Sequence, residues 1–459
     1  MKNLNKEILR LALPSILANL TVPLVGMADI AVAGHLGDVG ALGAAAFIGG
    51  VTIGSLLFDL LYWNFAFLRV STGGLTAQAY GRGDTAECAD LFVRSVTLAL
   101  LLSLAVLAIQ WPFQKLAFLV VRTTPGVHDL ALRYFFIRIW AAPATLSLMS
   151  FRGWFVGMQD SVSSMLVDLT VNLVNIVASI VLTLGFGSWE GMGFSGIALG
   201  TVIAQYCGLL LACLIVAVKY RSFRFRLKRV ERAKIRRMVS LNTDFFIRSL
   251  CFIAIYVGFT TIAARYGDVF LSASSIIMKV LMIFSFFTDG FAYSGEALTG
   301  RFIGEGNVGG LKQAVLYVFL WSMGVAVLFM GIYAFAGEWI VAVMTSDREV
   351  ADACRPFMWW LLLMPPLGCA AFTWDGVFEG ATASKPVRNA MLAALVAFVG
   401  VYLAGIFFAG IPSSSDGSSL EIPAMNLLMA AYFAHLLART VILTLRWPKL
   451  LRGVSSEKN

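Results

Sequence analysis

Twelve apolar stretches, each on the order of 20 residues and so long enough to cross a bilayer as a helix, run through this chain, with most of the charge gathered between them. No soluble core needs that pattern. Backbone surrounded by lipid must satisfy its own hydrogen bonds, which leaves only helices or closed barrels. A barrel would instead show alternating segments of about ten residues. The expected spans are 8–33, 44–68, 91–111, 132–156, 164–187 and 192–218, then 239–263, 270–299, 313–335, 354–378, 388–410 and 424–446. Composition agrees: 59% of residues are hydrophobic and 13% charged, against roughly a quarter charged in a soluble domain. The apolar part of "MKNLNKEILRLALPSILANL" continues to Ala33 without a small-residue cleavage site, so it reads as a retained first helix rather than a secretory signal.

The stretch 219–237, "KYRSFRFRLKRVERAKIRR", holds ten lysines and arginines against one glutamate, which places it on the cytoplasmic side. With twelve spans both termini then lie in the cytoplasm, as do the loops 69–90 and 301–312. The loops 336–353 and 411–423 fall outside, and both lean acidic through Glu338, Asp347, Glu349, Asp352, Asp416 and Glu421. The net charge of +9 is therefore a membrane signature, suited to anionic lipid heads and not to nucleic acid. Six cysteines show no CxxC pair and mostly sit in or beside apolar blocks as small hydrophobes, and three scattered histidines suggest no metal cluster.

The segment "GGLTAQAYGRGD" (73–84) resembles "EALTGRFIGEGN" (296–307) at an offset of 223, and the same offset lays "RGWFVGMQDS" (152–161) over "DGVFEGATAS" (375–384). A weaker pair, "LGDV" (36–39) and "YGDV" (266–269), needs an offset of 230. The fold expected is an all-α polytopic membrane protein of two six-helix bundles. They occupy 1–218 and 239–459, are joined by a basic linker over 219–238, and are related by a pseudo-twofold axis along the membrane normal. Two such bundles rocking about a cleft make an alternating-access machine. The alternatives are a membrane enzyme, for which HExxH is absent and the histidines are ill placed, or a structural protein, which would not explain acids inside both halves.

Those acids are the chemistry-bearing residues. Asp29 lies near the end of the first span on a helix that also carries Pro14 and Pro23; Pro23 frees the carbonyl about one turn earlier, near Asn19, and weakens the helix there. A carboxyl that alternates between wet and dry surroundings takes up and releases a proton; the other reading is a cap on the turn at Gly34–Gly37. In the fifth span Asp168, Asn172, Asn175 and Ser179 share roughly one helical face, with Thr201 and Gln205 four apart on the sixth. Such a stripe lines a polar interior or glues helices together at about 1 kcal/mol per asparagine. In the second half Asp244 and Arg248 have ion-pair spacing, Asp289 and Glu296 share a face with Lys279 further up the helix, and Asp375 and Glu379 form a like-charged pair at four residues that calls for protonation or for basic partners elsewhere.

The first span, "LALPSILANLTVPLVGMADIAVAGHLGDVGAL", together with "FLRVSTGGLTAQAYGRGD" and "RGWFVGMQDS", resembles the multidrug and toxic compound extrusion (MATE) family. "LNTDFFIRSL", "DGFAYSGEALTG" and "WDGVFEGAT" are similar to its DNA-damage-inducible protein F branch. The resemblance implies a cofactor-free secondary transporter of the bacterial inner membrane, monomeric, exporting amphipathic and often cationic compounds, with Asp29 as the protonation and cation-coupling residue. Many relatives continue the fifth-helix motif with a second aspartate where this chain has Ser179. A sodium site built on two carboxylates would lack one charged ligand, which favours the proton, though sodium stays open with Asp168 as a compensating acid. The nearest alternative, a flippase for lipid-linked precursors, would be expected to carry many basic residues in its cavity; mid-span in the first half, Arg138 is the main one. The orientation has a direct check: a cysteine introduced into 219–237 is expected to resist membrane-impermeant thiol reagents in intact cells and to react after the membrane is opened.

Overall fold

The computed structural model describes residues 2–36, 43–120, 124–225, 232–345, 348–409 and 421–456. Among these residues the chain is all helix, apart from turns and one isolated bridge between Phe186 and Trp189. Twelve helical stretches are long and apolar enough to span a membrane: Leu4–Gly34, Ala44–Gly81, Thr85–Ala108, Pro125–Gly157, Ser161–Leu184 and Ser195–Lys219, then Met238–Ala264, Val269–Gly304, Val308–Met344, Arg348–Gly380, Ser384–Phe408 and Pro423–Ser455. Each overlaps one expected span, but the second runs on to Gly81. Part of what the sequence reads as a loop over 69–90 is thus helix, because a glycine-rich stretch can continue a helix where packing demands it. Single 3-10 turns interrupt the second span at Trp63–Phe65, the fourth at Ile139–Ala141 and the tenth at Arg355–Phe357. Residues 37–39 of the "LGDV" segment, residues 226–231 of the basic linker, Asp347 and Asp416 lie outside the described residues.

Contacts divide the chain into two compact units, Leu17–Arg232 and Met1–Ile16 with Ala233–Asn459. The sequence reading draws its N-terminal bundle from residue 1; by contacts, the first helix changes company between Ile16 and Leu17. In the unit containing its first part, Arg301 pairs with Glu7 at 3.2 Å, Trp321 donates to the Asn5 side chain at 3.1 Å, and Gly290 leaves room for the Ala12 carbonyl and Ile16.

The offset of 223 is built into both units. Asp84 caps the third span by accepting from the Glu87 amide at 2.9 Å, and Asn307 caps the ninth through the Gly310 amide at 2.8 Å. Gly83 and Gly306, one residue earlier, turn through φ +72° and +64°, which favours glycine. Gln159 and Thr382 adopt φ 61° and 52° at the ends of the fourth and tenth spans. Most telling is the backbone-to-backbone packing. A Cβ on Gly153 would overlap the Arg69 carbonyl and one on Gly157 the Gly73 carbonyl; in the other unit Gly376 meets Ala292 and Gly380 meets Glu296 in the same way. Each partner is displaced by the same offset, so the two units bring their inner helices together by one device: small residues that let backbones touch.

Such contacts cannot give way without moving a whole helix. Gly153→Ala and Gly376→Ala are each expected to destabilise by about 1–3 kcal/mol, whereas Gly331→Ala, where a Cβ meets nothing within 4 Å, is expected to be neutral or stabilising by under about 1 kcal/mol. Thermal unfolding of the purified variants in detergent measures the contrast.

Candidate functional site

In the unit Leu17–Arg232 the second part of the first span carries Asp29, which is only 5% exposed. Its Oδ1 is buried without a hydrogen-bond partner, and the Ser179 hydroxyl of the fifth span and the charge of Arg138 both act on the carboxyl group. The fifth-span stripe divides its attention. Asn172 donates from Nδ2 to the Thr21 hydroxyl of the first helix at 2.5 Å, and that hydroxyl in turn donates to the Ala18 carbonyl at 2.7 Å. Asn175 donates to the Thr201 hydroxyl at 3.0 Å, while its own Oδ1 is buried without a partner. Asp168 is engaged elsewhere, in a 2.5 Å ion pair with Arg152 of the fourth span.

Glycines on the sixth span make this closeness possible. A Cβ on Gly200 would come within 2.7 Å of both the nitrogen and the hydroxyl of Ser179, and Gly196 admits the backbone at Leu182 in the same manner. Packing at that range presses the polar stripe against Thr201. Asp29 and Asn175 each keep one buried oxygen without a donor, chemistry suited to a proton or a small cation. Pro14 and Pro23 both lie inside the continuous helix Lys2–Gly34, on either side of the Asn172–Thr21 bond.

Sequence reasoning passed over Asp59. It stands in "SLLFDLLYW", where Ser55, Phe58, Asp59 and Tyr62 follow helical spacing and share one face. A single acid inside an apolar run was signal enough. The face meets the fourth span, whose Arg138 donates to the Tyr134 hydroxyl at 2.9 Å and the Ser55 hydroxyl at 3.3 Å. Arg138 also lies over the Phe58 ring at 4.8 Å from its centre, a cation–π distance.

The other unit holds a denser network. Asp244 and Arg248 do not pair with each other, although their spacing allows it. Asp244 binds Arg388 at 2.7 Å and accepts from Ser384 at 2.6 Å, while Arg248 reaches Asp375 at 2.6 Å and Glu379 at 3.0 Å. A long side chain reaches a neighbouring helix as easily as its own next turn, and two carboxylates there outbid one. Asp375 also takes Arg439, itself 3% exposed, at 2.6 Å. The crowded acids Asp375 and Glu379 are thus both paired with basic groups. Glu296 is fully buried, Asp289 half-buried on the same helix, and Lys279 exposed. His435 sits next to this network, bonded to the Tyr432 carbonyl. Between the fourth and fifth spans Asp160 is buried, which by itself raises a carboxyl's pKa; donors Lys219, Ser163 and Tyr220 outweigh that and hold it below the ordinary value. Among the described residues no group of three or more metal-ligating side chains gathers, and all six cysteines are free.

The model of the family described as MatE matches residues 14–181 and 245–405. The chain is 34% identical over 397 residues to DNA damage-inducible protein F of Escherichia coli, covering 86% of this chain and 84% of the relative. It is 22% identical to a probable multidrug resistance protein NorM of a Synechocystis strain, over 94% and 93% of the two chains. Among solved structures, one described as the outward-facing conformation of a multidrug resistance MATE family transporter superposes with a TM-score of 0.82 at 18% identity, over 99% and 97% of the chains. At that identity the likeness speaks for the fold. The ion network permits a quantitative expectation: Asp375→Ala strands Arg439 and removes a partner from Arg248, which should cost about 3–5 kcal/mol, read as a large drop in melting temperature of the purified protein.

Proposed function

Because this chain belongs to the MatE family of membrane transporters, we propose that it is a proton-driven antiporter that exports amphipathic, often cationic organic compounds by alternating access, and that Asp29 is its coupling residue. It is a transporter and not an enzyme. The observation that carries the coupling assignment is the buried Asp29 carboxyl, one of whose oxygens has no hydrogen-bond partner. A bare carboxylate in that setting costs several kcal/mol, a cost that a bound proton or cation removes.

The cycle follows from the same contacts. With Asp29 deprotonated, its environment admits water or a cationic substrate. Uptake of a proton from outside makes the carboxyl neutral, lets the first helix repack around Pro14 and Pro23, and releases the substrate. Asn172 holds the first helix through Thr21, and Asn175 with Thr201 orients Asp29 or a hydration water. Ser179 supports the proton over sodium, since a hydroxyl offers oxygen but no second negative charge; Asp168, bound to Arg152, is poorly placed to make up that charge. The charged residues Asp244, Arg248, Asp289, Glu296, Asp375 and Glu379 serve as a fixed polar framework of the second unit. The protein works as a monomer in the inner membrane, termini in the cytoplasm, with lipids as its solvent.

Asp29→Asn tests the reading. In liposomes with an imposed pH gradient, uptake of a fluorescent organic cation is expected to fall at least about tenfold, while binding of the cation to the purified variant persists. Native-rate transport by the variant would remove Asp29 from the mechanism. Transport driven equally by an isolated sodium gradient would replace the proton with sodium.

A further inference from the structure

Charges at the middle of a membrane protein are costly and mark where ligands or ions are handled. In the unit Leu17–Arg232 two of them stand beside helix breaks. Asp59 lies one turn before the 3-10 turn Trp63–Phe65 of the second span, and Arg138 immediately precedes the 3-10 turn Ile139–Ala141 of the fourth. Interruptions of this kind within a span accompany functional sites.

The two side chains are near enough for their charges to interact, yet they form no ion pair. Arg138 spends one nitrogen, Nη1, on the neutral hydroxyls of Tyr134 and Ser55. Among the described residues its Nε and Nη2 donate to nothing, and the residue is half-buried. Asp59 is exposed and likewise makes no hydrogen bond or ion pair among the described residues. A guanidinium edge with two free donors matches a carboxylate, sulfonate or phosphate; a free carboxylate matches an ammonium. The guanidinium lies over the fully buried rings of Phe58 and Tyr134, 4.8 and 5.5 Å from their centres, which hold it in place. A ligand of one sign would satisfy one group and leave the other uncompensated.

We infer that Asp59 and Arg138 form a mixed-charge recognition site that takes zwitterionic amphiphiles, the ammonium at Asp59 and the acidic group at Arg138. The inference rests on the export reading above and narrows its substrate class from simple organic cations to compounds that carry both charges.

A matched pair of probes tests it on the full-length purified protein: an aromatic amphiphile bearing a quaternary ammonium and a carboxylate, and its methyl ester, which lacks only the negative charge. Wild type is expected to bind the zwitterion about tenfold or more tightly than the ester. Arg138→Gln should bring that ratio close to one, Arg138→Lys should retain part of it, and Asp59→Asn should weaken both probes while preserving the ratio. An acid-to-ester ratio near one in wild type, a ratio that survives Arg138→Gln, or binding of neither probe overturns the inference. Liposome transport separates it from the antiport reading. Preference for the zwitterion without pH-driven movement sinks the antiporter and keeps the site, whereas pH-driven movement of both probes without preference does the reverse.

Discussion

The interaction on which this molecule depends is the compensation of charge inside a layer that cannot solvate it. An ionisable side chain within a span must find its counter-charge or hydrogen-bond donors in the protein. In the unit that ends in the twelfth span a cluster of acids and guanidinium groups meets the requirement within itself. Asp375 sits between two guanidinium groups, Glu379 shares one of them, and Asp244 has both Arg388 and Ser384. Such a network is strongly held, because removing any one member strands another. The unit Leu17–Arg232 leaves the account open: Asp29 and Asn175 each bury an oxygen with no donor, and Arg138 leans on neutral groups. Groups left unsatisfied are the ones able to bind something that comes and goes. On that ground coupling and recognition are proposed for the unit Leu17–Arg232.

Much of this architecture can be read from the chain itself, for identifiable reasons. Hydrocarbon thickness and backbone hydrogen bonding leave few ways to use apolar runs of this length, so the twelve spans follow from pattern alone. The repeat is legible because the residues that match, Gly153 with Gly376 and Gly157 with Gly380, are those whose missing side chains bring helix backbones together. A contact that tolerates only hydrogen holds its residue type through duplication. Partner choice was less legible. Spacing pairs Asp244 with Arg248, but the energy of a buried ion pair depends on everything within reach, and Arg388 and Asp375 lie on helices far away in sequence. Asp168 shows the same limit from the other side: it shares a helical face with Asn172 and Asn175, yet Arg152 claims it. Asp59 was visible in its apolar run, and its meaning came only with Arg138 beside it.

The first helix ties these observations together. Up to Ile16 it packs with the second unit through Asn5, Glu7, Ala12 and Ile16; from Leu17 it belongs to the first, where Asn172 holds it at Thr21. Pro14 and Pro23 bracket that change of company, and each proline removes one backbone hydrogen bond from the helix interior. Weakness is therefore concentrated between the anchor at Thr21 and the residues on either side of it, while Asp29 lies beyond the second proline. Protonation of a carboxyl changes only a local free energy of a few kcal/mol. A straight, fully bonded helix clamped along its length would resist rearrangement on that scale. A helix with two prolines in its interior resists less, and in the proposed cycle a few kcal/mol then choose between two packings of the segment that carries Asp29.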